Sequence, residues 1–217
     1  MKTIETNGCY LEPLPFSGPE WYYGTDYNYG DLYEAEEIVK AGNEISGREF
    51  CLVRYPDGTV FRPIPKARNV YPSEPVYFEN GIYILAAYFD EAKLKILRFD
   101  CESCNTEIFL ELPLDSVKDC YNLRLDPAPL TITRQSVADN EFEIIWPERL
   151  RLEMGSHDSF FLRQGERLYF NRWYEEGSGT DYRYWEETIV RGLDGEVLEV
   201  IPGDIKLMPD GELWYLK

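Results

Sequence analysis

Residues 184–200 read Tyr-Trp-Glu-Glu-Thr-Ile-Val-Arg-Gly-Leu-Asp-Gly-Glu-Val-Leu-Glu-Val, and this stretch indicates the fold class. Two runs rich in β-branched and aromatic residues, 184–191 and 196–200, flank the dipeptide Asp194-Gly195. An Asp-Gly pair tolerates the positive φ angles of a tight hairpin turn. The stretch therefore predicts two antiparallel strands joined by a close turn.

The same pattern recurs along the chain. Asp57-Gly58, Asn80-Gly81 and Asp210-Gly211 also lie between strand-like runs. Because side chains of a strand alternate between its two faces, apolar residues at every second position predict further strands. These predicted strands cover residues 94–99, 107–112, 130–133, 142–146, 150–154, 167–170 and 212–216.

The predicted strands form groups with the length of a propeller blade. Residues 76–113, 122–155 and 158–203 each contain two hairpins in series. A unit of about forty residues suits a four-stranded blade, which must pack against its neighbours to bury its faces. The hairpins at 49–64 and 204–216 are expected to share one more blade, so that strands from both termini close the array.

We therefore predict an all-β, antiparallel, β-propeller-like array of about four to five blades, with a β-sandwich or a barrel as the alternative. The propeller-like domain is expected to cover residues 48–217. Residues 1–47 are expected to be an irregular, aromatic-rich segment with one short helix at 31–41. Asp31 suits the N-cap of that helix and Gly42 its end, although Glu36 to Val39 could also form a strand.

Composition excludes several function classes. The chain of 217 residues has 40 acidic residues against 22 Lys and Arg, a formal net charge of −18. A protein that binds nucleic acid through phosphate contacts needs positive charge, which is the opposite sign. Glycine-rich phosphate loops and dinucleotide-binding motifs are missing from the sequence, so nucleotide enzymes of those types are not expected. Enzymatic activity stays open, but the sequence favours its absence, and no cofactor is expected.

The five cysteines are expected to be free thiols. Cys101 and Cys104 form the only C-x-x-C pair, and His157 is the only histidine, so a four-ligand zinc site is not expected. The longest nearly apolar run, 82–89, is too short to span a membrane, and the N-terminus has no apolar signal core. A cytoplasmic, bacterial protein is the expectation, and a processed secreted form stays open.

A repeated tetrapeptide supplies the candidate ligand-binding residues. Gly24-Thr-Asp-Tyr27 recurs as Gly179-Thr-Asp-Tyr182, and aromatic residues surround both copies. Aromatic rings with one edge exposed to water can bind a protein partner or a sugar, but they are also typical of a half-buried strand. The candidates are Trp21, Asp26, Tyr27, Tyr29, Trp173, Asp181, Tyr182 and Trp185. The glycines and prolines around the first copy predict a loop, with at least one of Trp21, Tyr27 and Tyr29 exposed.

Two functions fit these features. The first is a non-enzymatic binding or scaffold module for a basic protein partner, because opposite charge speeds association. An immunity-type protein that neutralises a basic toxin is one concrete form. The second is a carbohydrate-binding or carbohydrate-active protein that uses an acid pair beside the aromatic loops. No catalytic residue and no metal ligand is assigned, and a membrane partner is not expected.

Overall fold

The computed structural model describes residues 1–18, 20–208 and 210–216. It is nearly all β, with 51% of the residues in strands and 8% in helices. This strand content is about twice the 20–25% that is usual for soluble proteins. The described residues form four sheets of four strands and one sheet of two strands, and the strand pairs whose register is defined are antiparallel.

The elements follow in chain order. The first sheet contains β1 (Tyr10–Pro13), β2 (Trp21–Thr25), β3 (Phe50–Arg54) and β4 (Thr59–Phe61). The helix α1 (Leu32–Lys40) lies between β2 and β3. The second sheet contains β5 (Val70–Phe78), β6 (Gly81–Tyr88), β7 (Lys93–Asp100) and β8 (Thr106–Pro113). The third contains β9 (Arg124–Asp126), β10 (Thr131–Ser136), β11 (Glu141–Trp146) and β12 (Leu150–Glu153).

The fourth sheet contains β13 (Asp158–Gln164), β14 (Arg167–Glu176), β15 (Arg183–Gly192) and β16 (Val197–Pro202). The two-stranded sheet contains β17 (Asp204–Leu207) and β18 (Leu213–Leu216). Short 3-10 helices occupy Phe89–Glu91, Leu114–Ser116 and Gly179–Asp181.

Each four-stranded sheet has the strand order of a propeller blade. Neighbouring strands in each sheet are consecutive in the chain, and all are joined by short connections except β2 and β3, between which the chain forms α1. The predicted groups 76–113, 122–155 and 158–203 coincide with the second, third and fourth sheets within a few residues, except that β5 begins earlier, at Val70. The prediction of an all-β, antiparallel, propeller-like fold with about four small blades is confirmed.

The N-terminal segment differs from the prediction that residues 1–47 are irregular. β1 and β2 lie within it, and β2 pairs with β3 from Trp21↔Arg54 to Thr25↔Phe50. They complete the first sheet because alternate residues of β2, Trp21 and Tyr23, are buried against its core. The short helix is confirmed. The Asp31 carboxylate accepts a hydrogen bond from the backbone N–H of Glu34, which forms a capping box.

The two hairpins that were expected to share a blade lie in different sheets. β3 and β4 take β2 and β1 as partners, whereas β17 and β18 pair only with each other. The terminal hairpin is held instead by Ile205, which packs against Tyr169 and Val190 of the fourth sheet. The prediction of one blade formed by strands from both termini is therefore wrong, because the N-terminal strands already complete the first sheet.

The chain divides into two compact units, unit 1 (residues 1–127) and unit 2 (residues 128–217). In unit 1 the first and second sheets share one apolar core, which includes Trp21, Phe50, Ile84 and Phe99. In unit 2, residues of β11 and β12 share a core with the fourth sheet, around Phe142, Phe160 and Phe170. Each core thus covers the inner faces of two consecutive sheets.

Replacing Ile205 by alanine should destabilise the protein by about 2–5 kcal/mol, because its buried side chain joins the terminal hairpin to the fourth sheet. Lys206→Ala on the same strand is the control, since Lys206 is exposed and should change stability by no more than about 0.5 kcal/mol. Denaturant unfolding of both variants measures the difference. Equal, small effects would show that the terminal hairpin does not support unit 2.

Candidate functional site

The hairpin of β14 and β15 extends beyond the two strands that flank it. β13 pairs with β14 only as far as Asp158↔Arg172, and β16 pairs with β15 only as far as Glu187↔Pro202. Apart from the backbone hydrogen bonds from the Trp173 N–H to the His157 carbonyl and from the Gly203 N–H to the Glu186 carbonyl, the described partners of residues 173–176 and 183–186 in the sheet are each other. We call residues 173–186 the ribbon.

One face of the ribbon carries three aromatic rings and two carboxylates. Trp173 lies opposite Glu186, and Glu175 lies opposite Tyr184. Alternate residues of a strand share a face, so these four side chains lie together. Tyr182 joins them because its hydroxyl donates a hydrogen bond of 3.1 Å to Glu175 Oε2. We call these five residues the ring face.

The rings of the ring face are accessible. Trp173, Tyr182 and Tyr184 are 37%, 50% and 54% exposed. The Tyr184 hydroxyl donates to Glu186, as Tyr182 does to Glu175. These hydrogen bonds to carboxylates raise the pKa of both tyrosines. Within the described part of the chain, no Lys or Arg nitrogen lies within 4.0 Å of the Glu175 or Glu186 carboxylate oxygens.

The base of the ribbon is held by stacking and by a buried ion cluster. The His157 ring stacks on Trp173, with centroids 4.0 Å apart and planes 16° apart. Next to it, the buried Asp158 carboxylate binds the guanidinium groups of Arg172 and Arg191. Burial alone would raise the pKa of Asp158, but the hydrogen bonds from Arg172 and the Gly155 N–H and the charges of both arginines outweigh it, so the pKa is lowered. Asp158 therefore serves as an ionised anchor for two strands.

The opposite face of the ribbon is arranged differently. Tyr174 and Trp185 stack with centroids 5.1 Å apart and planes 10° apart. The Tyr174 hydroxyl donates to Glu187 Oε2 at 2.9 Å. Trp185 is a candidate binding residue like Trp173 and Tyr182, and the register places it on the opposite face from them. Asp181 is exposed in the 3-10 turn at the tip.

The first aromatic copy, in unit 1, is mostly structural. Trp21 is only 2% exposed, and its ring meets Phe99 edge-on at 5.4 Å, so the expectation that it packs from a loop is wrong. Asp26 forms an ion pair of 2.9 Å with Lys66, and the Tyr29 hydroxyl is hydrogen-bonded to Ser46. The expectation of one exposed ring is confirmed by Tyr27, which is 50% exposed.

The repeated tetrapeptide does not mark a structural repeat. Gly24 and Thr25 end strand β2, whereas Gly179 has a φ of +60° and begins a 3-10 turn. The same four residues adopt different structures in the two copies, because β2 is paired on both edges and the tip of the ribbon is not. Tyr184, Glu175 and Glu186 of the ring face are not among the candidates that the sequence supplied. Their positions at every second residue of the two strands could have indicated a shared face. Only the register between β14 and β15 shows which residues of the two strands lie on that face.

Neither the comparison with protein-family models nor the comparison with curated proteins gives a match. Among the helices that the structure describes, none has the length and the apolar character needed to cross a membrane. No group of three His, Cys, Asp or Glu side chains suited to a metal ion occurs in residues 1–18, 20–208 and 210–216. Cys101 begins the turn after β7, and Cys104 follows this turn.

Truncation of Trp21 should destabilise the protein much more than truncation of Tyr27. Trp21→Ala should cost about 3–5 kcal/mol of stability, because it opens a cavity in the core of unit 1. Tyr27→Ala should cost much less, about 0.5 kcal/mol, because its ring is half exposed. Denaturant melts of the two variants decide this. A strong loss of stability in Tyr27→Ala would place this ring in the core as well.

The tyrosines of the ring face should ionise at a higher pH than free tyrosine. A raised pKa keeps the hydroxyl protonated, and therefore a donor to its carboxylate, to higher pH. Glu175→Gln removes the negative charge beside Tyr182 and should lower the pKa of Tyr182. Glu176→Gln on the opposite face removes the same charge and should change it less. A tyrosine titration followed by NMR measures both, and equal shifts would contradict the arrangement.

Proposed function

We propose that this chain is a non-enzymatic binding module whose ring face binds a basic segment of a protein partner. One observation carries the proposal. Three exposed rings and two carboxylates without a Lys or Arg partner among the described residues share one face of a projecting two-stranded ribbon.

The chemistry of the ring face matches arginine best. A guanidinium is planar, so it can stack on an indole or phenol ring and at the same time form paired hydrogen bonds with a carboxylate. A cation over an aromatic face contributes about 0.5–2 kcal/mol, depending on how well water is excluded. Glu175 and Glu186 each keep acceptor capacity, because a carboxylate can accept several hydrogen bonds. A segment with two arginines would therefore find a ring and a carboxylate for each.

The rest of the chain supports a basic partner. A net charge of −18 attracts a cationic protein over a distance and speeds association. Exposed Trp and Tyr are also the residues that most often dominate the binding energy of protein interfaces. An immunity-type protein of a bacterial cytoplasm, bound to a basic toxin, remains one concrete form of this proposal.

A carbohydrate ligand is the alternative, because the same three rings could stack on sugar faces. The two candidates differ in their response to salt. Binding of a cationic segment weakens as salt screens the carboxylates, whereas stacking of a neutral sugar does not depend on these charges.

The test is a titration of the purified chain with a hexa-arginine peptide, followed by tryptophan fluorescence and calorimetry. The double variant Glu175→Gln/Glu186→Gln should bind at least about tenfold more weakly, because two charged hydrogen-bond acceptors are lost. The control is Glu176→Gln/Glu187→Gln, which removes two charges from the opposite face. The control should bind nearly as well as the natural sequence at moderate salt.

A second pair of variants tests the rings. Trp173→Ala should weaken peptide binding, whereas Trp214→Ala, which removes an exposed ring from β18, should not. Equal losses in both charge variants would mean that only net charge matters and would refute the ring face. Salt-independent binding of a neutral glucose hexasaccharide that Trp173→Ala abolishes would favour the carbohydrate alternative.

A further inference from the structure

Unit 1 contains a buried cation without a carboxylate partner. Arg48 lies just before β3 and is only 7% exposed. Its Nη1 donates to the carbonyl oxygen of Pro72 at 3.3 Å, and its Nη2 donates to Thr25 Oγ1 at 3.0 Å. Both acceptors are neutral. Among the residues that the structure describes, no carboxylate oxygen lies within 4.0 Å of the Arg48 guanidinium.

Two other guanidinium groups with little exposure, those of Arg134 and Arg191, are neutralised by carboxylates. Arg134, in unit 2, has Asp139, Glu141 and Glu143 within 3.5 Å. Arg191 has Asp158 at 3.1 Å. Removing a charge from water costs several kcal/mol unless a counter-charge compensates it. Of the two arginines that are buried in the described part of the chain, Arg48 and Arg134, only Arg134 has carboxylate partners there.

The Arg48 guanidinium also retains free donors. An arginine has five N–H groups. The hydrogen bonds to Pro72 and Thr25 use one N–H on each terminal nitrogen, and the buried Nε has no hydrogen-bond partner among the described residues. The Nε–H and one terminal N–H of a guanidinium point in parallel, which is the spacing that matches the two oxygens of a carboxylate.

Tyrosine rings form the walls around this guanidinium. The carbon at its centre lies 4.9 Å from the centroid of the buried Tyr71 ring and 5.9 Å from that of Tyr27. Tyr27 is the accessible wall, because it is half exposed and sits in the turn after β2 with a φ of +53°. Its hydroxyl donates to Glu12, which also accepts from the Tyr23 hydroxyl.

We propose that Arg48 is the base of a binding site for a small organic monocarboxylate, with Tyr27 as its movable cover. The carboxylate supplies the counter-charge that the described residues do not supply, and it pairs with the Nε–H and a terminal N–H. Glu12 at the rim disfavours ligands with two negative charges, such as the phosphate dianion. The site lies in unit 1 and does not depend on the proposed role of the ribbon in unit 2.

The first test observes Arg48 directly in the natural protein. Sodium acetate is added at constant ionic strength, with chloride as the replaced anion, while the arginine Nε–H signals are followed by NMR. Arg48→Lys identifies the Arg48 signal. That signal should shift and saturate with acetate, whereas the signal of Arg98, which already binds Asp100 and Glu107, should not saturate. No saturable shift at Arg48, or saturation with phosphate but not with acetate, would overturn the proposal.

The second test uses thermal melts. Acetate should raise the melting temperature of the natural protein in a saturable way, because a ligand of the folded state stabilises it. Arg48→Gln should abolish this rise, and the control Arg68→Gln, at an exposed arginine, should keep it. If Arg48→Gln does not fold, the NMR titration still decides. Tyr27→Phe removes the hydroxyl that holds the cover to Glu12 and should lower the half-saturating acetate concentration; an unchanged value would refute the role of Tyr27.

Discussion

A sheet of four short strands must have its inner face covered, and the rest of this structure depends on that constraint. The central strand β6 is buried along nearly all of its length, which a single four-stranded sheet in water cannot achieve. The first and second sheets solve this by sharing one core, and β11 and β12 share another core with the fourth sheet. The apolar residues at alternate strand positions are thereby buried in these cores. The segments free to bind a partner are the edges, the turns and the strand ends that outrun the sheet.

The ribbon is a strand end of this kind, because it extends beyond the neighbouring strands of its sheet. β14 and β15 have ten residues each, whereas their neighbours β13 and β16 have seven and six. The surplus length has no flanking strand to cover it, so its rings stay accessible. A two-stranded ribbon is weakly stable alone, and here the stacked His157 and the cluster of Asp158 with Arg172 and Arg191 tie its base to the sheet. Rigid support below and accessible rings above are what a recognition element requires.

The distribution of charge gives the two units opposite local chemistry despite one overall sign. In unit 2 the acidic residues of the ribbon lack cationic partners among the described residues, while the buried Arg134 and Arg191 have carboxylates. In unit 1 the reverse holds at Arg48, where a cation is surrounded by tyrosine rings and neutral oxygens. Net charge therefore acts over a distance, whereas the local chemistry at the ribbon and at Arg48 is decided by groups within a few ångströms.

The sequence alone determined the antiparallel β class, most strands, the capped helix at 32–40 and three of the four sheets, because alternation and Asp-Gly turns act between residues that are close in the chain. It also singled out the aromatic residues around Tyr27 and Trp173. Only the tertiary structure decided that β1 and β2 complete the first sheet and that the terminal hairpin packs on the fourth. It likewise separated Trp173 from Trp185, since a register difference of one residue reverses the face. The burial of Trp21 and the isolation of Arg48 depend on contacts between residues far apart in the chain, and no local pattern encodes those contacts.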